Sequence, residues 1–154
     1  MRHHTSMDRT DRAIVDQLRG DARVPNTELA DRVGLTPAPC LRRVRRLEQA
    51  GVITGYHARI DPEAVGRGFE VLVNVDLARK DRATVEHFEA GVAEFDEVIE
   101  LRRMFGLPDY FLRIATADLQ AFEAFVTHDL EDTPGIARVD SHLTMKTIKA
   151  VAGS

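Results

Sequence analysis

The sequence predicts an α+β protein, an N-terminal winged helix-turn-helix domain followed by a C-terminal ferredoxin-like βαββαβ domain. Three observations carry this reading. Residues 36–51, TPAPCLRRVRRLEQAG, form a helix pattern with both ends marked and four arginines within five positions. Charge divides the chain: residues 1–60 hold 11 Arg against 7 Asp and Glu, net +4, whereas residues 61–154 hold 10 Lys and Arg against 18 Asp and Glu, net −8. Beyond residue 68 the apolar pattern runs strand, helix, strand, strand, helix, strand, the order of the split βαβ arrangement.

In the basic half, Asp8 to Gly20 predicts a first helix with Ile14 and Leu18 on its stripe and Ala13 and Val15 beside them. Val24-Pro25 breaks the chain, and Asn26 is expected to cap a short second helix that turns Leu29, Ala30 and Val33 inward. Glu28 lies in its first turn, where the helix dipole favours an anion. Gly34-Leu35-Thr36 is a tight turn into the arginine helix. There Thr36 is placed to cap, Pro37 suits the first helical position, and Gly51 can adopt the left-handed conformation that closes a helix. Cys40, Val44 and Leu47 fall at i, i+4 and i+7 and share one apolar stripe. Ala38, Leu41, Arg42, Arg45 and Arg46 point away from it, with Pro39 and Arg43 on the flank.

Helix, short helix, glycine turn and basic helix make the helix-turn-helix pattern, whose second helix lies in the major groove of duplex DNA. The expected DNA contacts are Thr36, Pro37, Ala38, Pro39, Leu41, Arg42, Arg43, Arg45 and Arg46. Arg42, near the exposed N-terminal end, is assigned to a base or the groove floor, and Arg43, Arg45 and Arg46 to phosphates, because a guanidinium offers forked donors to either. The competing reading is a solvated basic face paired with nearby acids.

Val52 to Ile60 is a strand candidate, either a wing or the start of a tether, and residues 61–68 read as a hinge. Domain limits are therefore set at 1–60 and 69–150. Phe69 to Ala78 alternates, with Val71, Val73 and Val75 on one face. Asp81 to Phe95 is a helix through Val85, Phe88, Val92 and Phe95. Glu97 to Phe105 and Tyr110 to Ala117 form a hairpin around Gly106-Leu107-Pro108-Asp109. Asp118 caps a helix whose inward residues are Leu119, Phe122, Phe125, Val126 and Leu130, and Ile136 to Ile148 is a last long strand. The strands carry apolar residues on both sides in places, which predicts an open apolar sheet face covered by a second copy.

Other function classes find little support. No apolar run approaches the roughly 18 residues of a membrane span, and the polar leader MRHHTSMDRTDR, which holds His3 and His4, has no signal-peptide core. A single cysteine excludes an internal disulfide and suits the cytoplasm. The six histidines show no metal-ligand spacing outside that leader, and neither a glycine-rich phosphate loop nor a catalytic triad context is present. Neither cofactor nor metal is expected. Cys40, in the first turn of a helix among arginines, leaves a redox-sensing reading open.

The chain closely resembles the Lrp/AsnC (feast/famine) family of bacterial and archaeal transcription regulators. The matching residues run from Asp8-Arg9-Thr10-Asp11-Arg12-Ala13-Ile14 through Asn26-Thr27-Glu28-Leu29-Ala30 to Val33-Gly34-Leu35-Thr36-Pro37. They continue in Cys40 to Glu48, Gly51-Val52-Ile53, Gly55-Tyr56, Phe105-Gly106, Asp109-Tyr110, Pro134-Gly135 and the final strand. The resemblance covers about residues 7–150. It implies a DNA-binding domain joined to an effector-sensing one, and a nucleoid-associated dimer that assembles further, often to an octamer. It also implies an amino acid or related metabolite held between neighbouring sensing domains near the Gly–Asp–aromatic turn. The residues so implicated are Gly106, Leu107, Asp109 and Tyr110. The turn departs from the family's usual order of Gly, acid, aromatic, Asp, since Leu107-Pro108 stand between Gly106 and Asp109. A regulator or architectural protein without an effector is the alternative.

Overall fold

The computed structural model describes residues 6–149, so His3 and His4 lie outside the described residues. The chain forms two compact units, the described residues up to Arg59 and Ile60–Lys149.

The first unit holds three helices, α1 (Arg9–Gly20), α2 (Asn26–Arg32) and α3 (Pro37–Gln49). Helix α1 begins with a reciprocal cap: Asp8 accepts the Asp11 N–H at 2.8 Å and Asp11 accepts the Asp8 N–H at 3.2 Å. Helix α2 departs from the expected start. Asn26 is its first residue and caps nothing; its amide donates to the Pro37 carbonyl at 2.8 Å and so ties α2 to the start of α3. At the N-terminus of α3, Thr36 holds the cap position without a side-chain hydrogen bond, and Pro37 follows as expected. Gly34 and Gly51 sit at φ +70° and +69°, the left-handed conformation that lets the chain leave a helix sharply. The Leu35 N–H returns to Ala30 and the Val52 N–H to Leu47, both at 2.9 Å. Ile14, Val24, Leu29, Ala30, Cys40, Val44 and Leu47 close the core, with Met7, Val33 and Ile53 packed at its edge.

The strand expected over 52–60 does not form. Val52 and Ile53 donate back to the Leu47 carbonyl and finish α3, and the residues beyond have no strand to pair with among the described residues.

The second unit runs β1 (Phe69–Leu77), α4 (Arg82–Ala93), β2 (Val98–Arg103), β3 (Tyr110–Thr116), α5 (Leu119–Phe125) and β4 (Ile136–Leu143), with a π-helical turn, Val126–Leu130, continuing α5. The strands form one antiparallel sheet in the order β2-β3-β1-β4. Asp81 and Asp118 cap α4 and α5 by accepting the N–H groups of Thr84 and Ala121. One sheet face, carrying Val71, Val73, Val75, Leu77, Tyr110, Leu112 and Ile114, packs against Phe88, Val92, Phe122, Phe125 and Leu130.

Three expectations are corrected. The last strand ends at Leu143, five residues short, because Leu143 pairs with Val71 and β1 has only two residues left beyond that point. Leu119, expected inward, opens α5 and faces solvent. The other sheet face is largely polar. Arg113 bridges Glu70 at 2.9 Å and Glu100 at 3.4 Å, and Asn74 meets His142 at 3.2 Å, leaving Leu72 and Phe111 among charged neighbours.

Phe88 is fully buried, and its ring meets that of Tyr110 at a tilt of 48° with centroids 4.6 Å apart. Phe88→Ala therefore destabilises the sheet unit by about 3–5 kcal/mol, read by urea unfolding at Tyr110.

Candidate nucleic-acid interface and effector site

Because α3 buries Cys40, Val44 and Leu47, its remaining faces carry the candidate DNA contacts. Thr36, Pro37, Ala38, Leu41, Arg42, Arg45 and Arg46 are exposed, and Pro39 and Arg43 are half-buried. Leu35, Pro39, Arg42, Arg43 and Arg46 line a concavity of about 330 Å³ on this side of the unit.

The four arginines differ in what they touch. Arg43 Nη1 lies 2.6 Å from Asp8 Oδ2 and 2.8 Å from Asp11 Oδ1. Arg46 Nη2 reaches both Asp11 oxygens, at 2.7 and 2.6 Å. Arg42 and Arg45 have no acidic partner among the described residues. The helix wheel places Arg46 away from the apolar stripe correctly, yet its long side chain swings back to α1. The competing reading from sequence, arginines paired with nearby acids, thus describes Arg43 and Arg46. The Asp11 N–H and then the Arg43 guanidinium hold the Asp8 carboxyl below the usual carboxylate range. Asp8 and Asp11 enter the sequence reading only within a matching stretch. The signal that marks them is an acid at both ends of an i, i+3 helix start.

Cys40 is fully buried, and burial pushes its thiol above the ordinary value. An activated thiolate needs the reverse, so the redox-sensing reading is set aside.

In the sheet unit the four candidate effector residues separate. Gly106, at φ +115°, and Leu107, 80% exposed, form the hairpin tip beside the fully exposed Phe105. Asp109 and Tyr110 turn inward, where β3 begins. Asp109 Oδ2 accepts the Leu77 N–H at 3.0 Å, and Oδ1 meets the Lys80 ammonium at 2.5 Å. Burial pushes the Asp109 carboxyl up, but Lys80 and the Leu77 N–H outweigh it and hold the group below its ordinary value. Tyr110 donates its hydroxyl to Glu89 at 2.9 Å, and Arg103 reaches the same carboxylate at 2.5 Å. Lys80, Arg103, Asp109 and Tyr110, with Leu77, Val85 and Met104, line a cavity of about 160 Å³, and Glu89 holds Tyr110 and Arg103 from behind it. Sequence reasoning missed Lys80, Glu89 and Arg103, which arrive from the loop after β1, from α4 and from β2.

Comparison with known proteins decides the identity. The Lrp/AsnC ligand binding domain model matches residues 70–152, and a winged helix-turn-helix DNA-binding model matches residues 7–54. The chain belongs to the Lrp/AsnC family of transcriptional regulators. It is 36% identical over 143 residues to the leucine-responsive regulatory protein of Salmonella typhimurium, spanning 93% of this chain and 87% of the relative. It is 37% identical over 142 residues to the Bkd operon transcriptional regulator of Pseudomonas aeruginosa, spanning 92% and 93%. A transcriptional regulator of Neisseria meningitidis, solved as its L-Met complex, superposes with a TM-score of 0.87 at 36% identity and 94% coverage of both chains. In this Lrp/AsnC regulator the helical unit is the DNA-binding element and the sheet unit the ligand-binding one.

Asp109 offers a check on the second site. Its carboxyl is lowered in the folded state, so its contribution to stability is complete above the ordinary value of 3.8 and fades as pH falls through the depressed one. Asp109→Asn removes that part of the acid limb, and thermal unfolding followed from neutral pH downward shows a shallower fall than the parent.

Proposed function

We propose that this Lrp/AsnC regulator reads operator DNA through the exposed arginines of α3 and is controlled by an amino acid bound in its sheet unit. The observation that supports the first part is the pair Arg42 and Arg45, exposed on the basic helix with no acid to neutralise them among the described residues. Arg42 sits nearer the N-terminus of α3, the end that meets base edges in this motif, and Arg45 lies one turn further on, toward the phosphates. The active species is a two-fold dimer that assembles to a higher oligomer, working at the cytoplasmic nucleoid on near-palindromic sites with half-sites about one helical turn apart.

The second part is supported by the L-Met complex of the Neisseria relative and by the chemistry of the cavity beside Asp109. Lys80 and Arg103 suit a carboxylate, Asp109 an ammonium, and Leu77, Val85 and Met104 an apolar side chain. At about 160 Å³ it falls below the roughly 300–1,000 Å³ of drug-sized pockets, which favours a small amphiphile. Because Lys80 already occupies Asp109, an effector's ammonium must compete with it. Regulation through binding, with no catalysis by this chain, completes the reading.

Fluorescence anisotropy on a duplex enriched by the protein from a random pool tests it. Arg45→Ala weakens all sequences alike and lowers the slope of log K against log salt by about 0.9 per subunit. Arg42→Ala costs about 1–3 kcal/mol at the enriched site and relaxes selectivity. L-methionine, tried first among the amino acids, shifts the duplex affinity of the parent but not of Asp109→Ala, which has no carboxylate left for the effector's ammonium. An unchanged salt slope in Arg45→Ala defeats the DNA assignment, and indifference to every amino acid defeats the effector assignment.

A further inference from the structure

The structure sorts the arginines of α3 by a single carboxylate. Asp11, on α1, has a side chain that is 1% exposed, so water cannot replace its partners. It accepts from the Asp8 N–H at 3.2 Å, from Arg43 at 2.8 Å, and from Arg46 at 2.7 and 2.6 Å. With Asp8 added, the cluster holds two acids and two arginines, a formal charge of zero. Of the four arginines on α3, Arg42 and Arg45 alone are left with charge that no paired acid offsets among the described residues.

We propose that Asp11 is a positioning residue for DNA recognition. It holds Arg43 and Arg46 back from indiscriminate phosphate binding and fixes the roll of α3, and with it the aim of Arg42. This rests on reading α3 as the recognition helix. Two physical points carry it beyond a stabilising role. The apolar stripe of α3 turns the basic face outward but leaves the finer roll of the helix and the aim of its long side chains open, whereas hydrogen-bonded ion pairs have direction. Buried ion pairs also add little net stability over an apolar replacement, so their effect is better sought in geometry. Asp8 is the built-in comparison. It touches Arg43 only, its side chain is 51% exposed, and losing its charge changes the cluster by the same single unit.

The test uses the full chain, the duplex enriched by the parent and a scrambled duplex of equal composition, across a salt series. Asp11→Asn binds the scrambled duplex more tightly, steepens the salt slope by about 0.9 per subunit, and lowers the ratio of enriched to scrambled affinity by about tenfold, the scale of one misaimed base contact. Asp8→Asn, in which Asn still caps the helix, steepens the slope similarly but keeps the ratio within about twofold. Should Asp11→Asn fail to fold by circular dichroism, Arg46→Lys serves: charge is conserved, the salt slope stays, and the ratio falls. The proposal is overturned if Asp11→Asn or Arg46→Lys keeps the parent ratio, or if Asp8→Asn lowers it as far as Asp11→Asn does. A parent that ignores every duplex instead overturns the reading of α3 itself.

Discussion

A carboxylate stripped of water must find positive charge within the fold, and Asp11 finds it on the arginine helix. That requirement joins two demands on residues 36–51. The helix must bury Cys40, Val44 and Leu47 to complete a small core, and it must present cations outward. Asp11 lets both hold at once. It receives the arginines nearest the packed flank and leaves Arg42 and Arg45 to solvent. The capping of α1 belongs to the same arrangement, because the Asp8–Asp11 reciprocal bond that starts the helix also sets the acids where Arg43 can reach them.

The sheet unit solves a similar problem with different parts. Its central strand β1 buries Val71, Val73, Val75 and Leu77 and is paired on both sides, so it anchors everything that lines the small cavity. The loop after β1 supplies Lys80, Asp109 precedes β3 and Tyr110 opens it, and α4 and β2 bring Glu89 and Arg103. Charges of both signs are thus held beside an apolar wall by elements whose positions the core dictates. The net charges of +4 and −8 in the two halves follow the same division, a basic half that carries the DNA-binding match and an acidic half that carries the ligand-binding one.

Local chemistry made most of the architecture readable. Pro37 and Gly51 bracket α3, alternating valines declare β1, and Asp81 and Asp118 announce α4 and α5, because each acts within a few residues of itself. What was not readable depends on partners distant in sequence. Asn26 looks like a cap until the Pro37 carbonyl is brought beside it. Residues 52–60 look like a strand, but a strand needs a neighbour, and none is present for them among the described residues. The end of β4 is set by where β1 runs out. Arg43 and Arg46 could be placed on α3 from spacing alone, but not the carboxylate 32 and 35 residues away that holds them. At the hairpin, Gly106, Leu107, Asp109 and Tyr110 lie within five positions, yet the first two form an exposed tip, whereas Asp109 is drawn in by the Leu77 N–H and Lys80 and Tyr110 by the core around Phe88.

On this reading α3 carries duplex recognition while the sheet unit stays off the DNA. Amide hydrogen exchange on the full chain, with and without an enriched duplex at fixed salt, addresses it most directly. Added duplex should slow exchange in residues 34–47 and leave α4 unchanged. Protection confined to the sheet unit, with α3 exchanging as in the free protein, would place recognition elsewhere than α3.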